Sequence, residues 1–161
     1  MFRIELLSSA HNRSEFSCGI EALDRYLKDQ AGQDSRRRVA ACFVAVDKDN
    51  GALAGYYTLS AGSVLLADLP DDMKKRMPRY PLVPVARLGR LAVDASYKGI
   101  KLGAALLWDA ASRAARSEVM AFALVVDAKD ATAEAFYEHH GFIMLSPRVL
   151  MLPLAKVKEL G

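Results

Sequence analysis

The residues best placed to do chemistry lie between Val85 and Leu107. There a strand-like run, VARLGRLAV, leads into a short loop holding Lys98, Gly99, Lys101 and Gly103, and then directly into a helical pattern. A strand, a glycine-containing loop and a helix N-terminus together point backbone N–H groups at an anion, and the helix macrodipole favours negative charge there. Lys98 and Lys101 add cationic donors, which suits a pyrophosphate. The spacing is neither the GxGxxG of a dinucleotide fold nor the GxxxxGK[S/T] phosphate loop, and two glycines in a loop also make an ordinary βα turn. Other reactive types point less sharply. His139 and His140 close a helical pattern, where an imidazole more often makes a favourable dipole contact than acts as a base. His11 reads as a surface residue. Cys18 and Cys42 have no base nearby in sequence and read as buried thiols of a reducing cytoplasm. Two cysteines make neither a disulfide framework nor a metal site, so no metal is expected.

The elements that must position these residues follow from periodicity. Arg3–Leu7 reads as a short strand. A helix starts after Ser17–Gly19, with Ile20, Leu23 and Leu27 on one face, and reaches the Arg36–Arg38 run, where Arg38 is expected to face inward. Val39–Asp47 is an apolar central strand, Lys48–Gly51 a turn and Leu53–Ser63 the returning strand of a hairpin. Leu66–Tyr80 is irregular, with one helical turn at Pro70–Met77. Val85–Val93 is a strand whose Gly89 marks a bulge or a close backbone approach. Leu102–Glu118 is a helix with Leu102, Leu106, Ala110 and Ala114 in one row. Ala121–Asp127 is a buried strand, Ala131–His139 a helix ended by Gly141, and Val149–Leu154 a last strand. The order predicts an α/β fold with a mixed sheet.

Composition sets the outer bounds. With 161 residues, 52% hydrophobic and 25% charged, the chain has the make-up of one ordinary globular domain and not of a disordered, collagenous or coiled-coil protein. The longest apolar run, Val39–Val46, is far below the ~20 residues of a membrane span, and no signal peptide is recognisable. A net charge of +3 decides little. Its clustering at Arg36–Arg38, at Lys74, Lys75, Arg76 and Arg79, and at Arg87, Arg90, Lys98 and Lys101 suits a polyanionic partner, although any one run could be solvated surface.

At two places the sequence becomes specific. VARLGRLAVDASYKGIKLGAALLWDA resembles motif A of the GNAT acyl-CoA N-acetyltransferases, whose signature Arg/Gln-x-x-Gly-x-Gly/Ala falls here on Lys98, Gly99, Ile100, Lys101, Leu102 and Gly103. AEAFYEHHGF (Ala133–Phe142) resembles motif B, in which a tyrosine precedes Gly-Phe, with one strand between the two motifs. The segments HNRSEFSCGIEALDRYLKDQAGQDSRRRVAACFVA, GYYTLSAGSV and RYPLVPVARLGRLAVD resemble the GNAT toxins of bacterial type II toxin–antitoxin pairs, the TacT/AtaT type. The resemblance covers nearly the whole chain. It implies a single GNAT acetyltransferase domain over residues 1–161: a mixed six- to seven-stranded sheet flanked by helices, with splayed central parallel strands holding acyl-CoA.

The same resemblance assigns roles. Backbone groups of Leu91, Ala92 and Val93 would contact the pantetheine, with an N–H near Leu91–Ala92 polarising the thioester carbonyl. The pyrophosphate would sit on the amides of Gly99–Ala104. Asp127 and Asp130 would lie beside the pantetheine, with Phe136, which also reads as core together with Phe142. Tyr137 matches the tyrosine that protonates the leaving thiolate. Acetyl would pass from acetyl-CoA to the α-amino group of aminoacyl-tRNA, blocking translation, and Arg36, Arg37, Lys74, Lys75, Arg76, Arg79, Arg87 and Arg90 would meet tRNA phosphates. The resemblance also implies a homodimer in the cytoplasm and a ribbon-helix-helix antitoxin through which alone operator DNA would be bound. The chain departs from the signature at Lys98, where the family has arginine or glutamine, and at Lys101, where it has glycine. A lysine at positive φ is strained. The expectation is therefore that Lys101 keeps an ordinary φ and reaches a CoA phosphate or the RNA; its rival is that Lys101 weakens CoA binding. Two other readings stay open: an acetyltransferase of a small amine or protein N-terminus, and a catalytically weak partner module for an antitoxin and DNA.

Overall fold

The computed structural model describes residues 1–160, and the side chains of residues 1–157. In chain order the elements are β1 (Phe2–Leu6), α1 (Glu21–Arg25), a π-helical turn (Tyr26–Gln30), α2 (Ala31–Arg36), β2 (Ala41–Asp47), β3 (Leu53–Leu65), α3 (Asp71–Lys74), β4 (Leu82–Val93), α4 (Leu102–Arg116), β5 (Ala123–Asp127), α5 (Ala131–His139), β6 (Ile143–Ser146), β7 (Val149–Pro153) and α6 (Leu154–Leu160). The strands pair in the order β1-β2-β3-β4-β5-β7-β6. β4 and β5 run parallel, while β1–β2, β2–β3, β5–β7 and β6–β7 are antiparallel. This is the mixed sheet the sequence predicts. β6 and α6 are additional to the predicted elements, and β4 starts at Leu82 because Leu82 and Pro84 face solvent on an alternating strand that does not read as an apolar run.

Two compact units share the chain, Met1–Ser60 with Gly89–Ala110 and Ala61–Leu88 with the chain from Ala111 on. In the first, β2 is buried from Cys42 to Val46 and β3 from Leu53 to Thr58, as strands covered on both faces must be. Its core is aromatic: Phe16 meets Tyr56 edge-on at 5.6 Å, and Tyr26 stacks on Tyr56 at 6.3 Å. Gly89 on β4 has room for no side chain, since a Cβ there would stand 2.8 Å from the Thr58 hydroxyl. The close approach predicted for this glycine is therefore what the strand contains. The core of the second unit gathers Leu69, Val83, Val85, Ala123, Val125 and Met151. There the β4–β5 ladder runs from Val85↔Ala123 to Leu88↔Val126, and β4 continues beyond it to Val93.

The helix ends obey local chemistry. At the end of α2, Val39 N–H bonds the Asp34 carbonyl at 2.9 Å and Arg38 N–H the Ser35 carbonyl at 3.1 Å. This is a Schellman motif with Arg38, φ +61, in the left-handed position usually held by glycine. Arg38 is exposed, contrary to the inward orientation expected of it. The motif turns the chain at that residue and leaves its side chain in solvent.

Candidate functional site

The loop after β4 is braced from below. The buried Asp94 carboxylate accepts hydrogen bonds from Ser96 N–H at 2.8 Å and from Ser17 N–H at 2.9 Å. The first of these caps a short 3₁₀ turn, Ala95–Tyr97. Lys98 Nζ then donates to the Cys18 carbonyl at 2.8 Å, and Cys18 N–H is held by the Asp24 carboxylate at 2.8 Å. Lys98, expected as a phosphate donor, thus ties the loop to the segment that opens α1. The signal for Asp94 was present in the sequence, since Asp-x-Ser is a turn-capping pattern. The acceptor for Lys98 is a backbone carbonyl 80 residues away, which no spacing rule can find.

Lys101 overturns an expectation. Its φ is +63°, and Gly99 nearby stands at +85°. The loop holds the left-handed geometry that glycine allows even though a lysine occupies the position, at a conformational penalty of about 1 kcal/mol. Leu102, which follows, is buried and starts α4. The amides of Leu102, Gly103 and Ala104 find no acceptor among the described residues, so the α4 N-terminus presents unpaired donors. Lys101 itself is exposed, as are Gly99 and Ile100. Upstream on β4, Ala92 is buried, while Leu91 and Val93 are half-buried on the stretch beyond the β5 ladder.

Tyr137 lies in the second unit, on α5. The helix is capped at its start by Asp130, whose carboxylate accepts from Ala133 N–H at 2.8 Å. Asp130, expected beside the pantetheine, is exposed and caps the helix. At the other end Phe142 N–H bonds the Tyr137 carbonyl at 3.1 Å, Gly141 N–H bonds the Glu138 carbonyl at 3.0 Å, and Gly141 has φ +94°. This second Schellman motif brings the Phe142 ring to 5.4 Å from that of Tyr137, the apolar contact that usually completes the motif. Phe136 packs edge-on against Tyr137 at 5.3 Å and is half-buried. The Tyr-x-x-x-Gly-Phe spacing is therefore a device for holding a tyrosine. Burial raises the Tyr137 phenol above its ordinary pKa, so it is a proton donor at neutral pH. Its hydroxyl makes no hydrogen bond among the described residues.

Burial and the neighbouring His139 lower the His140 pKa. His11 is not a surface residue: its side chain is 9% exposed and Nε2 lies 2.6 Å from the Glu5 carboxylate. Ser8 N–H donates to His11 Nδ1 at 2.9 Å, so that nitrogen is an acceptor committed to the backbone. Cys18 and Cys42 are buried, and burial pushes the Cys42 thiol up to about 12 and the Cys18 thiol upward as well. Neither is a thiolate nucleophile at neutral pH. No group of His, Cys, Asp and Glu among the described residues could hold a metal ion.

The basic residues separate into two sets. Arg87 pairs with Asp127 at 3.6 Å, and Arg90 lies 3.6 Å over the Tyr26 ring. Lys74 pairs with Asp71 at 3.4 Å, and Arg76 Nε reaches the Asp72 carbonyl at 3.4 Å. Arg37 is exposed and near enough to help lower the Asp34 pKa. Arg36, Lys75 and Arg79 are exposed and make no ion pair among the described residues. Asp127 is itself mostly exposed, with Arg87 as its partner.

The mixed seven-stranded sheet is that of the acyl-CoA N-acetyltransferases. The family profile described as the acetyltransferase (GNAT) domain matches residues 17–151, and the chain belongs to that family. It is 36% identical, over 158 residues covering 96% of this chain and 93% of the relative, to the tRNA-acetylating toxin of Mycobacterium tuberculosis (strain ATCC 25618 / H37Rv). The fold matches the solved structure of AtaT complexed with acetyl-methionyl-tRNAfMet, at TM-score 0.91, 28% identity and 99% coverage of both chains. It also matches an AtaT variant toxin bound to the C-terminus of the antitoxin AtaR and acetyl-CoA, at TM-score 0.82 and 25% identity, covering 99% of this chain and 97% of that one.

Proposed function

We propose that this protein is a toxin acetyltransferase that moves acetyl from acetyl-CoA to the α-amino group of aminoacyl-tRNA and so blocks translation. The observation that carries the acetyl-CoA half is the loop before α4, left-handed at Gly99 and Lys101 and ending on unpaired amides that suit a pyrophosphate. The 36% identity to a tRNA-acetylating toxin supports the RNA half. In this reading the backbone of Leu91–Val93, on the part of β4 that runs past its parallel partner, pairs with the pantetheine as a strand would. The amine nitrogen attacks the thioester carbonyl, whose oxygen is met by a backbone N–H near Leu91–Ala92. The C–S bond breaks, Tyr137 gives its proton to the departing thiolate, and the ammonium proton of the product is lost to solvent. No covalent enzyme intermediate is needed, because a free α-amine has a pKa of about 7.7–8.0 and esterification lowers it further.

Both units serve one acetyltransferase domain in this reading, since the matched profile runs through both. The protein is a homodimer held in check by a ribbon-helix-helix antitoxin, and works in the cytoplasm, where charged tRNA is found. No helix among the described residues is long and apolar enough to cross a membrane. The test is direct. Purified protein is mixed with labelled acetyl-CoA and total tRNA, charged or uncharged. Label is expected on charged tRNA alone. Label on a small amine or protein N-terminus instead would replace the RNA substrate, and failure to bind acetyl-CoA would remove the enzyme altogether.

A further inference from the structure

Arg90 is half-buried, and among the described residues it makes no ion pair and no side-chain hydrogen bond. Its guanidinium carbon instead lies 3.6 Å over the centre of the Tyr26 ring. That ring is buried, stacks on Tyr56 at 6.3 Å, and donates its hydroxyl to Asp34 Oδ2 at 2.8 Å. Gln30 Nε2 holds Asp34 Oδ1 at 2.9 Å, and the Asp34 carbonyl receives Val39 N–H at the closed end of α2. Gln30, Tyr26 and the Arg90 charge together hold the Asp34 carboxyl below its ordinary pKa. Tyr26 and Gln30 are the first and last residues of the π-helical turn, an irregularity frequent at functional sites. A phenol that donates to a carboxylate has a more electron-rich ring face, so Asp34 strengthens the hold of Tyr26 on a cation.

Arg90 stands where β4 needs such a hold. The ladder to β5 ends at Leu88, and the strand runs on to Val93. Gly89 closely approaches the Thr58 hydroxyl, and Asp94 N–H bonds the Ala54 carbonyl at 2.8 Å. Between these two points Arg90 reaches from the strand to the helical turn that carries Tyr26. Because a peptide is planar, the Leu91 N–H moves as one unit with the Arg90 carbonyl, and the placing of Arg90 decides where that N–H aims. We propose that Arg90, Tyr26 and Asp34 form a positioning relay for acetyl transfer, in which the stacked guanidinium holds β4 so that the Leu91–Ala92 backbone meets the thioester oxygen as it gains charge. Arg90 acts through the backbone and is a positioning residue. A planar guanidinium lies flat on an aromatic face, so the role calls for arginine and not lysine. This rests on the acetyl-CoA reading above.

The test has two readouts on the full-length protein. One is kcat and KM for charged tRNA across a salt series. The other is the infrared stretch of bound acetyl-CoA labelled at its carbonyl carbon. All are taken where melting curves show each variant folded. Wild type is expected to shift the stretch to lower frequency. Arg90→Met and Arg90→Lys are expected to lose most of that shift and to lower kcat about ten- to a hundredfold, less than deleting an oxyanion donor outright. KM for charged tRNA should stay within about twofold, with its salt dependence unchanged. Tyr26→Phe keeps the ring and breaks only the link to Asp34, so it should lower kcat by a smaller factor, and should cost nothing further beside Arg90→Met. A raised KM and flatter salt dependence in Arg90→Met, with the wild-type stretch, would make Arg90 an RNA contact and overturn the relay. A lowered Tm with wild-type kcat and stretch would leave Arg90 a purely structural residue and overturn it as well. A wild type that does not bind acetyl-CoA overturns the acetyltransferase reading itself.

Discussion

Tyr137 is half-buried, and burial holds its phenol above the ordinary pKa with the proton on it. A phenol held above its ordinary pKa keeps its proton at every pH at which the protein works. The substrate amine must instead be deprotonated to attack. The rate is therefore expected to rise with pH through the amine's titration and then stay level to about pH 10, with no falling limb from the tyrosine. Tyr137→Phe keeps the packing against Phe142 and removes only the donor. It should cut the acetylation rate by about 10²–10⁴-fold and leave acetyl-CoA affinity within about twofold, measured by single-turnover transfer and by titration. Wild-type transfer in that variant would remove the acid role. At this scale the type of the residue and its proton-donor role were legible in sequence, and its burial was not, because burial comes from chain folded around it.

Two helix ends show what elements contribute. α2 and α5 close with the same pair of hydrogen bonds, one around Arg38 and the other around Gly141. Gly141 was readable as a stop and Arg38 was not, since arginine carries no such signal. The pair gives opposite expectations. Gly141→Ala meets only Leu152 Cδ1 at 3.9 Å, so space is not the obstacle and the φ of +94° is. It should lower stability by about 1 kcal/mol and, by loosening the motif that holds Phe142 against Tyr137, lower the rate as well. Arg38→Gly should raise stability by about 0.5–1 kcal/mol with the rate unchanged. Chemical denaturation and the transfer assay read both.

Over the whole molecule, charge matters through which cations remain available. All the candidate arginines and lysines look alike in sequence. Arg87 and Arg90 are engaged by Asp127 and by the Tyr26 ring, whereas Arg36, Lys75 and Arg79 face solvent with no ion pair among the described residues. Charge reversal at Arg36, Lys75 and Arg79 should weaken tRNA binding and flatten its salt dependence, each lost phosphate contact lowering the slope by about 0.7–0.9. Reversal at Arg90 should lower Tm first, since it places a carboxylate against an aromatic face. Filter binding across a salt series, with melting curves alongside, separates the two sets. Equal loss of tRNA affinity in both would show that the internal partners do not matter.

The sequence by itself determined the order of the elements, the phosphate loop and the tyrosine motif, because periodicity, glycine punctuation and short motifs act over a few residues. It also determined that the cysteines are inert, since neither has a base nearby. The tertiary structure decided what depends on distant partners. It turned Lys98 inward to the Cys18 carbonyl, just before the first helix, and forced Lys101 into a glycine's conformation. It sealed His11 against Glu5, set Asp130 to capping a helix, and withdrew some arginines from the surface charge. Apart from the short-range contacts of His11 and Asp130, each of these is a contact between residues far apart in the chain or a backbone angle imposed by its surroundings, which local spacing does not write.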